Sequence, residues 1–454
     1  MRAYLTKTRP NPPTNRTPWH LQALPCLAAL FLCVVYYQEL AAGSIDRAPF
    51  GTVFLGLATG ALASHFLLFL IPGALGMQTG YPAGVLGSST FGSRGGLIVP
   101  GPVIALVLSA WLGVAAYYGA EAALMAAGAR HAAGTRLHVL VVIVWVAVFA
   151  AAGHSGLRRV AIASLVLGGS SILALGIGLI AAGPGISEWE MEVPEPLFAY
   201  ARSAHLAAAF AAPFAVAFPA VARYLPSKRD LRRAGLLGIA APAAGAGLLA
   251  VLTVGGAKAL NPDIPGFGFL ESAAGLGGGA AALIPLLLAA GALPACWFIA
   301  WLAIDSAAVM LPDLPRPALS LAVALVASLT VLSGLPGSLS RFITVSGALC
   351  APLCGIMAAD YWQHDRRWPH ARPGVNYAGF GAWILGILAG TFHLMPVPEH
   401  FQHLAQPAAL LAWAAGFAGY IVLGNLGLKP YRKHRRRRTR SDAWEEPGPE
   451  AGLR

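Results

Sequence analysis

Charge is what this sequence has least of. Only 11% of its 454 residues are Asp, Glu, Lys or Arg, against about a quarter in a soluble domain, which excludes an ordinary cytosolic enzyme. Disorder is excluded from the other side, because 57% of the residues are hydrophobic and disordered chains are poor in such residues. Cysteine is nearly absent. The five present, Cys26, Cys33, Cys296, Cys350 and Cys354, include no Cys-x-x-Cys pair, so there is neither a disulfide framework nor a zinc or redox motif. The polar, proline-rich first 20 residues lack the basic-then-apolar pattern of a cleaved signal peptide. No Asp-x-x-Asp pair, Ser-His-Asp arrangement or phosphate loop lies at a membrane face, which leaves a membrane enzyme unsupported.

What the sequence has in abundance is long apolar runs. Twelve are bounded by Gly, Pro and charge, at about 22–42, 51–76, 98–126, 137–153, 160–182, 199–222, 235–256, 280–311, 317–334, 339–360, 375–396 and 404–428. A span of about 20 residues crosses the hydrocarbon as a helix, and lipid cannot satisfy an open strand edge. The expected fold is therefore an all-α polytopic membrane protein of about 12 transmembrane helices. Its expected organisation is an N-terminal cytoplasmic segment 1–21, a transporter domain 22–428 and a basic tail 429–454.

Twelve passes put both termini on one side. That side collects 25 of the 31 Lys and Arg residues and the other only 6, so the positive-inside rule makes both termini cytoplasmic in a cell membrane. The poor side also carries Glu188, Glu190, Glu192 and Glu195. Much of the excess behind the net charge of +12 sits in Lys429–Arg440, with its run Arg435 to Arg438. A basic block after an apolar segment reads as a cytoplasmic tail on anionic lipid headgroups, and no nucleic-acid partner is expected.

Interrupted helices at matching places in two inverted halves mark the binding site of many transporters. The sixth run carries Pro213 and Pro219, which predicts an interruption there. Five runs earlier the first contains Tyr36-Tyr37-Gln38-Glu39 and then Gly43, the partner a five-plus-five inverted repeat requires. Acids within spans are costly and default to functional candidates, and three qualify: Glu39, Glu121 and Asp305. Asp360, ending the tenth run, reads as interfacial. Trp297, Trp301 and Asp305 recur every four residues and share a helical face, as do Trp111 and Tyr118, with Tyr117 and Glu121 beside them. Aromatic rings beside a carboxylate suit a flat polar heterocycle, which they stack on while the acid accepts from its N–H groups. Cys350, Cys354 and the lone His65 read as core. His393, His400 and His403 have no ligand spacing, and no metal is expected.

These motifs resemble the nucleobase:cation symporter family, which includes cytosine permeases and hydantoin or allantoin transporters. Phe91-Gly-Ser-Arg-Gly95 is similar to the family's loop before helix 3. Trp111-Leu-Gly-Val and Gly119-Ala-Glu121-Ala resemble its helix 3, and Trp301-Leu-Ala-Ile-Asp305 its helix 8. Pro352-Leu-Cys-Gly-Ile-Met-Ala-Ala-Asp360-Tyr361, Arg366-Arg367 and Val375-Asn-Tyr377 resemble its helix 10–11 signature. There are departures. Ala115 stands where the family has a polar residue, Ala220-Val-Ala-Arg223-Tyr224 lacks the family's Asp, and Ser306 is the one hydroxyl beside Asp305.

The resemblance implies a leucine-transporter-like core of ten helices with two more at the C-terminus, and a ring site between helices 1, 3, 6 and 8. The expected function is a symporter importing a nucleobase-like heterocycle with a proton or sodium ion and no other cofactor. Trp111, Phe210 and Phe214 would wall the ring beside Trp301, Asp305 would hydrogen-bond it, and Gln38 would line the broken first helix. Glu39, Glu121 and Ser306 are the cation-coupling candidates, with a slight lean to a proton. The alternatives are an amino acid or amine carrier of the same fold, with Asp305 on the substrate ammonium, or a non-transporting membrane sensor or anchor.

Overall fold

Helices run between the Gly, Pro and charged marks of the sequence. The computed structural model describes residues 3–190, 194–395 and 406–428 and contains no strand among them. A surface helix α1 (Ala3–Lys7) precedes the first span, which comes in two pieces, α2 (Ala23–Phe31) and α3 (Val34–Leu40). The second span is α4 (Phe50–Ala63) and α5 (Leu70–Thr79), joined by a π turn over Ser64–Phe69. Two short helices, α6 (Ala83–Thr90) and α7 (Gly92–Gly95), lead to the third span, α8 (Gly101–Ala126). Spans four and five are α9 (Arg136–Gly153) and α10 (Leu157–Ile186). Span six is α11 (Pro196–Ala217) and the one-turn α12 (Pro219–Ala222). Span seven runs from α13 (Lys228–Gly235) into α14 (Ala241–Leu260). A short α15 (Phe269–Gly275) then precedes α16 (Gly278–Met310), α17 (Arg316–Leu332), α18 (Leu339–Trp362), α19 (Tyr377–Thr391) and α20 (Ala408–Leu423).

Among the described residues, ten of these stretches are long and apolar enough to cross a membrane, and Arg316–Leu332 is apolar but shorter. Span six completes the twelve. It is buried at every residue from Ser203 to Ala217, as expected of a helix apolar all round at the centre of a bundle. The periphery is apolar as well. On α10, Leu165, Val166 and Ile180 are 75%, 73% and 79% exposed, a band that suits lipid and not water.

The chain ends of the spans sort onto two faces. On the terminal face the N-terminal segment is strapped down. The Tyr4 hydroxyl donates to the Ser93 carbonyl (3.1 Å), Asn11 Nδ2 to the Arg223 carbonyl (2.9 Å) and the Thr17 N–H to the Tyr224 carbonyl (2.9 Å), while Lys7 pairs with Asp313. On the opposite face Arg47 pairs with Glu195, and Trp189 Nε1 donates to the Ile45 carbonyl (3.2 Å).

Small residues let helices approach closely in such a bundle. Gly56 and Gly60 of α4 lie against the backbone of α11, and a Cβ on Gly355 would run into the Trp413 carbonyl of α20. That contact seats span twelve on α18, and a Cβ on Gly386 of span eleven would run into Pro352 of the same helix, so both lie outside the ten-helix core. The helix 10–11 motif holds them from the terminal face. Asp360, in the last turn of α18, is 2% exposed and faces protein, not solvent. Its Oδ1 accepts from Arg372 Nη2 (2.7 Å) and the Tyr420 hydroxyl (2.9 Å), while Arg372 Nη1 donates to the Ser89 carbonyl (2.6 Å) and Asn376 Nδ2 to that of Thr90 (2.7 Å).

Both interruptions exist; the one in span one is displaced from Tyr36–Gly43, and the one in span six falls at the second of the two prolines. Span one breaks at Leu32–Cys33, where Cys33 is extended (φ −77°, ψ 137°), so Tyr36 to Glu39 are helical again. Span six passes straight through Pro213 and pinches at Phe218, whose carbonyl accepts from Val221 and Ala222 (2.8 Å each). Pro213 is accommodated inside the helix, and it is Pro219 that supplies the stop. The tail 429–454, with His400 and His403, lies outside the described residues.

Candidate functional site

Trp111 sits near the middle of α8 and is 1% exposed. Its ring meets Phe210 edge-on (centroids 5.1 Å, 87°), Phe214 at 5.6 Å and Phe342 of α18 at 4.8 Å. Phe210 in turn touches Phe31 (5.5 Å) and Tyr36 (4.9 Å), one on each side of the break in span one. An aromatic cluster therefore forms where spans one, three, six and ten meet, beside the interruption. The structure brings Trp111, Phe210 and Phe214 together. The sequence pattern missed Phe31 and Phe342 and placed Tyr36 only at the interrupted first span, because sequence spacing does not show which rings meet across helices. One atom in the cluster stands out. Trp111 Nε1 is buried with no hydrogen-bond partner, and a buried indole N–H usually finds one.

The carboxylates lie elsewhere. Gly101 packs on Met310, and Gly119 on Ala292. This antiparallel register levels Trp111 with Ala300 and Trp301, and leaves Asp305 about 7.5 Å nearer the terminal face at 1.5 Å per residue. There Asp305 Oδ1 accepts from Arg223 Nη2 at 2.8 Å, while Oδ2 is buried without a partner. Among the described residues no hydrogen bond or ring contact joins Asp305 to the aromatic cluster. Trp301 is at the right depth but stacks on Phe298 (6.1 Å, 9°), and Trp297 Nε1 donates outward to the Ala152 carbonyl of α9 (2.9 Å). Ser306, the residue after Asp305 on α16, is half-buried.

Gln38 is fully engaged. Its Nε2 donates to Glu271 Oε2 (3.1 Å) and its Oε1 accepts from the Leu270 N–H (2.8 Å), so it ties α3 to α15. Glu39 Oε1 accepts from Arg202 Nη2 of α11 at 2.9 Å. Glu121, about 15 Å beyond Trp111 along α8, is half-buried and has no ion pair among the described residues. The partners Arg202 and Arg223 had a signal in the sequence, since an acid within a span demands a base. No group of three or more potential metal ligands occurs among the described residues.

A cavity of about 490 Å³ opens on the opposite face, lined among others by Arg47, Arg202, Arg341, His205, Thr344 and His393. His205, on its floor, precedes Phe210 by five residues, so the aromatic cluster lies about 7.5 Å deeper along the same helix.

No protein-family model matches the sequence, and no curated protein is similar to it. Solved structures are. The chain is similar to Mhp1, described as a nucleobase-cation-symport-1 family transporter, in a closed conformation with bromovinylhydantoin bound. The TM-score is 0.69 at 17% identity, covering 95% of this chain and 98% of that one. Against inward-facing Mhp1 the TM-score is 0.64 at 18% identity, covering 93% and 96%. A Na+-coupled sialic acid symporter, substrate-bound and outward-open, scores 0.56 at 13% identity, covering 92% and 94%. At these identities the likeness establishes the fold: a polytopic all-α bundle of the Mhp1 architecture.

Proposed function

We propose that the chain is a cation-coupled symporter of the nucleobase:cation kind, importing a flat nitrogen heterocycle by alternating access, and not an enzyme. The observation that carries this is the unpartnered Trp111 N–H inside a cage of Phe210, Phe214 and Phe342 beside a broken helix. A heterocycle presents what the cage lacks: a π face to stack on and a carbonyl or ring nitrogen to accept that hydrogen bond. The hydantoin in the Mhp1 structure of the same fold is chemistry of this type, and the motifs of helices 3, 8 and 10–11 support membership of that family.

The amine-carrier alternative is disfavoured, because the carboxylate it needs is already engaged by Arg223. Coupling narrows similarly. Glu39 and Asp305 are each ion-paired, which leaves Glu121 as the carboxylate free to carry a proton. Sodium coupling is the second reading. It would use Ser306 with backbone carbonyls near the break in span one, and a sodium-coupled transporter shares the fold. The terminal face is assigned to the cytoplasm on its excess of Lys and Arg, with the tail 429–454 on anionic lipid.

Concentrative uptake of hydantoin and uracil into proteoliposomes, under a proton or a sodium gradient in turn, tests this function. Accumulation under one gradient, lost in Trp111→Ala, is the expected result. No accumulation of either ring under any gradient, with correctly folded protein, rejects it.

A further inference from the structure

The cavity on the opposite face is more basic than a neutral heterocycle needs. Among its described lining residues are three guanidinium groups, Arg47, Arg202 and Arg341, and one carboxylate, Glu195. Two of the arginines are committed. Arg47 pairs with Glu195, and Arg202 pairs with Glu39 while its Nε donates to the Ala42 carbonyl (2.8 Å). Arg341 is exposed to the cavity mouth and pairs with no acid among the described residues. The floor adds donors but no negative charge. His205 Nδ1 accepts from the Ala409 N–H (3.2 Å), which leaves the proton on Nε2, facing Thr344 Oγ1 at 3.0 Å. His393, whose ring meets His205 edge-on at 5.7 Å, also lines the cavity, and its Nδ1 is buried without a partner. The volume of about 490 Å³ falls in the range of small-molecule sites.

From this we infer that the vestibule is a binding site for an anionic, carboxylate-bearing heterocycle, held by Arg341 at the mouth before its ring descends to Trp111. Guanidinium matches carboxylate with two parallel N–H donors, and a positive cleft concentrates anions at its entrance. This inference rests on the proposed heterocycle function and deepens it, by naming the charge of the substrate.

Orotate and uracil share a pyrimidine ring and differ by one carboxylate, so they separate the two ideas. Calorimetric titration of the purified full-length protein should show orotate binding about tenfold or more tighter than uracil, the gain of one hydrogen-bonded charge. High salt should weaken orotate and leave uracil unchanged. Arg341→Gln should remove the difference, and its melting temperature without ligand serves as the folding control. Uracil binding without any preference for orotate overturns the anion site and leaves the heterocycle function standing. A preference that survives in Arg341→Gln also overturns it, and binding of neither ring overturns both.

Discussion

At the scale of single residues, Trp111 and Asp305 show why polarity alone does not mark a binding wall. Trp111 has an unsatisfied donor within a ring cluster. Trp111→Ala should therefore weaken heterocycle binding by about 1–3 kcal/mol, the cost of removing an aromatic that stacks on a base. Trp111→Phe should keep the stacking and lose the N–H. Calorimetric titration reads both, and unchanged affinity in the Ala variant returns Trp111 to packing. Asp305 behaves differently because Arg223 holds it. Removing one partner of a buried ion pair strands the other charge, at about 3–5 kcal/mol. Asp305→Asn should lower the melting temperature and the transport rate while affinity shifts by no more than about threefold. Adding Arg223→Gln should recover part of the stability. A large loss of affinity in Asp305→Asn would instead put the carboxylate on the ring. The sequence singled out Asp305 as an acid within a span, but its partner is 82 residues away in the chain.

At the scale of elements, the breaks and the close contacts carry the predictions. Gln38 caps and clamps α15 with two hydrogen bonds, each worth about 0.5–1.5 kcal/mol net. Gln38→Ala should speed hydrogen exchange across Phe269–Gly275 and leave the rest of the map as it was; unchanged protection there would show that α15 is held by packing alone. Gly355→Val should force α20 off α18, an overpacking cost of about 1–3 kcal/mol, seen as a lower melting temperature. Gly183→Ala, where nothing lies within 4 Å, is the neutral control. The interruptions were legible in spans one and six, and to the residue at Pro219 alone. Pro213 is a helix breaker by local chemistry, yet neighbours on every side keep α11 continuous through it. The break at Leu32–Cys33 has no proline or glycine to announce it.

For the whole molecule, orientation and coupling are the quantities to test. All five cysteines are buried, so a single added thiol reports cleanly. Glu190→Cys should react with an impermeant reagent in intact cells, and a cysteine placed in the tail should react only after permeabilisation; the reverse pattern inverts the topology. Among the described residues, Glu121 is the remaining carboxylate within the spans with no ion pair. If a proton is the coupled ion, Glu121→Gln should abolish concentrative uptake and spare substrate exchange, since an amide cannot take up and release a proton. Uptake that depends on an inward sodium gradient, unaltered in Glu121→Gln, would move coupling to the Ser306 region.

The number of passes, the sidedness of charge and the helical class were all determined by the sequence. Each follows from sums over many residues in a solvent that permits few backbone states. The aromatic cluster was partly visible too, through Trp111, Phe210 and Phe214. Tertiary structure alone decided the rest. It determined which acids are neutralised, by Arg202 and Arg223, and it made Asp360 the hub of a buried latch. It also gathered Arg47, Arg202 and Arg341 from three separate stretches around one cavity. The physical reason is the same in each case: charge and ring contacts act over a few ångströms in space, and helix packing brings together residues whose separation in sequence reveals nothing of their distance.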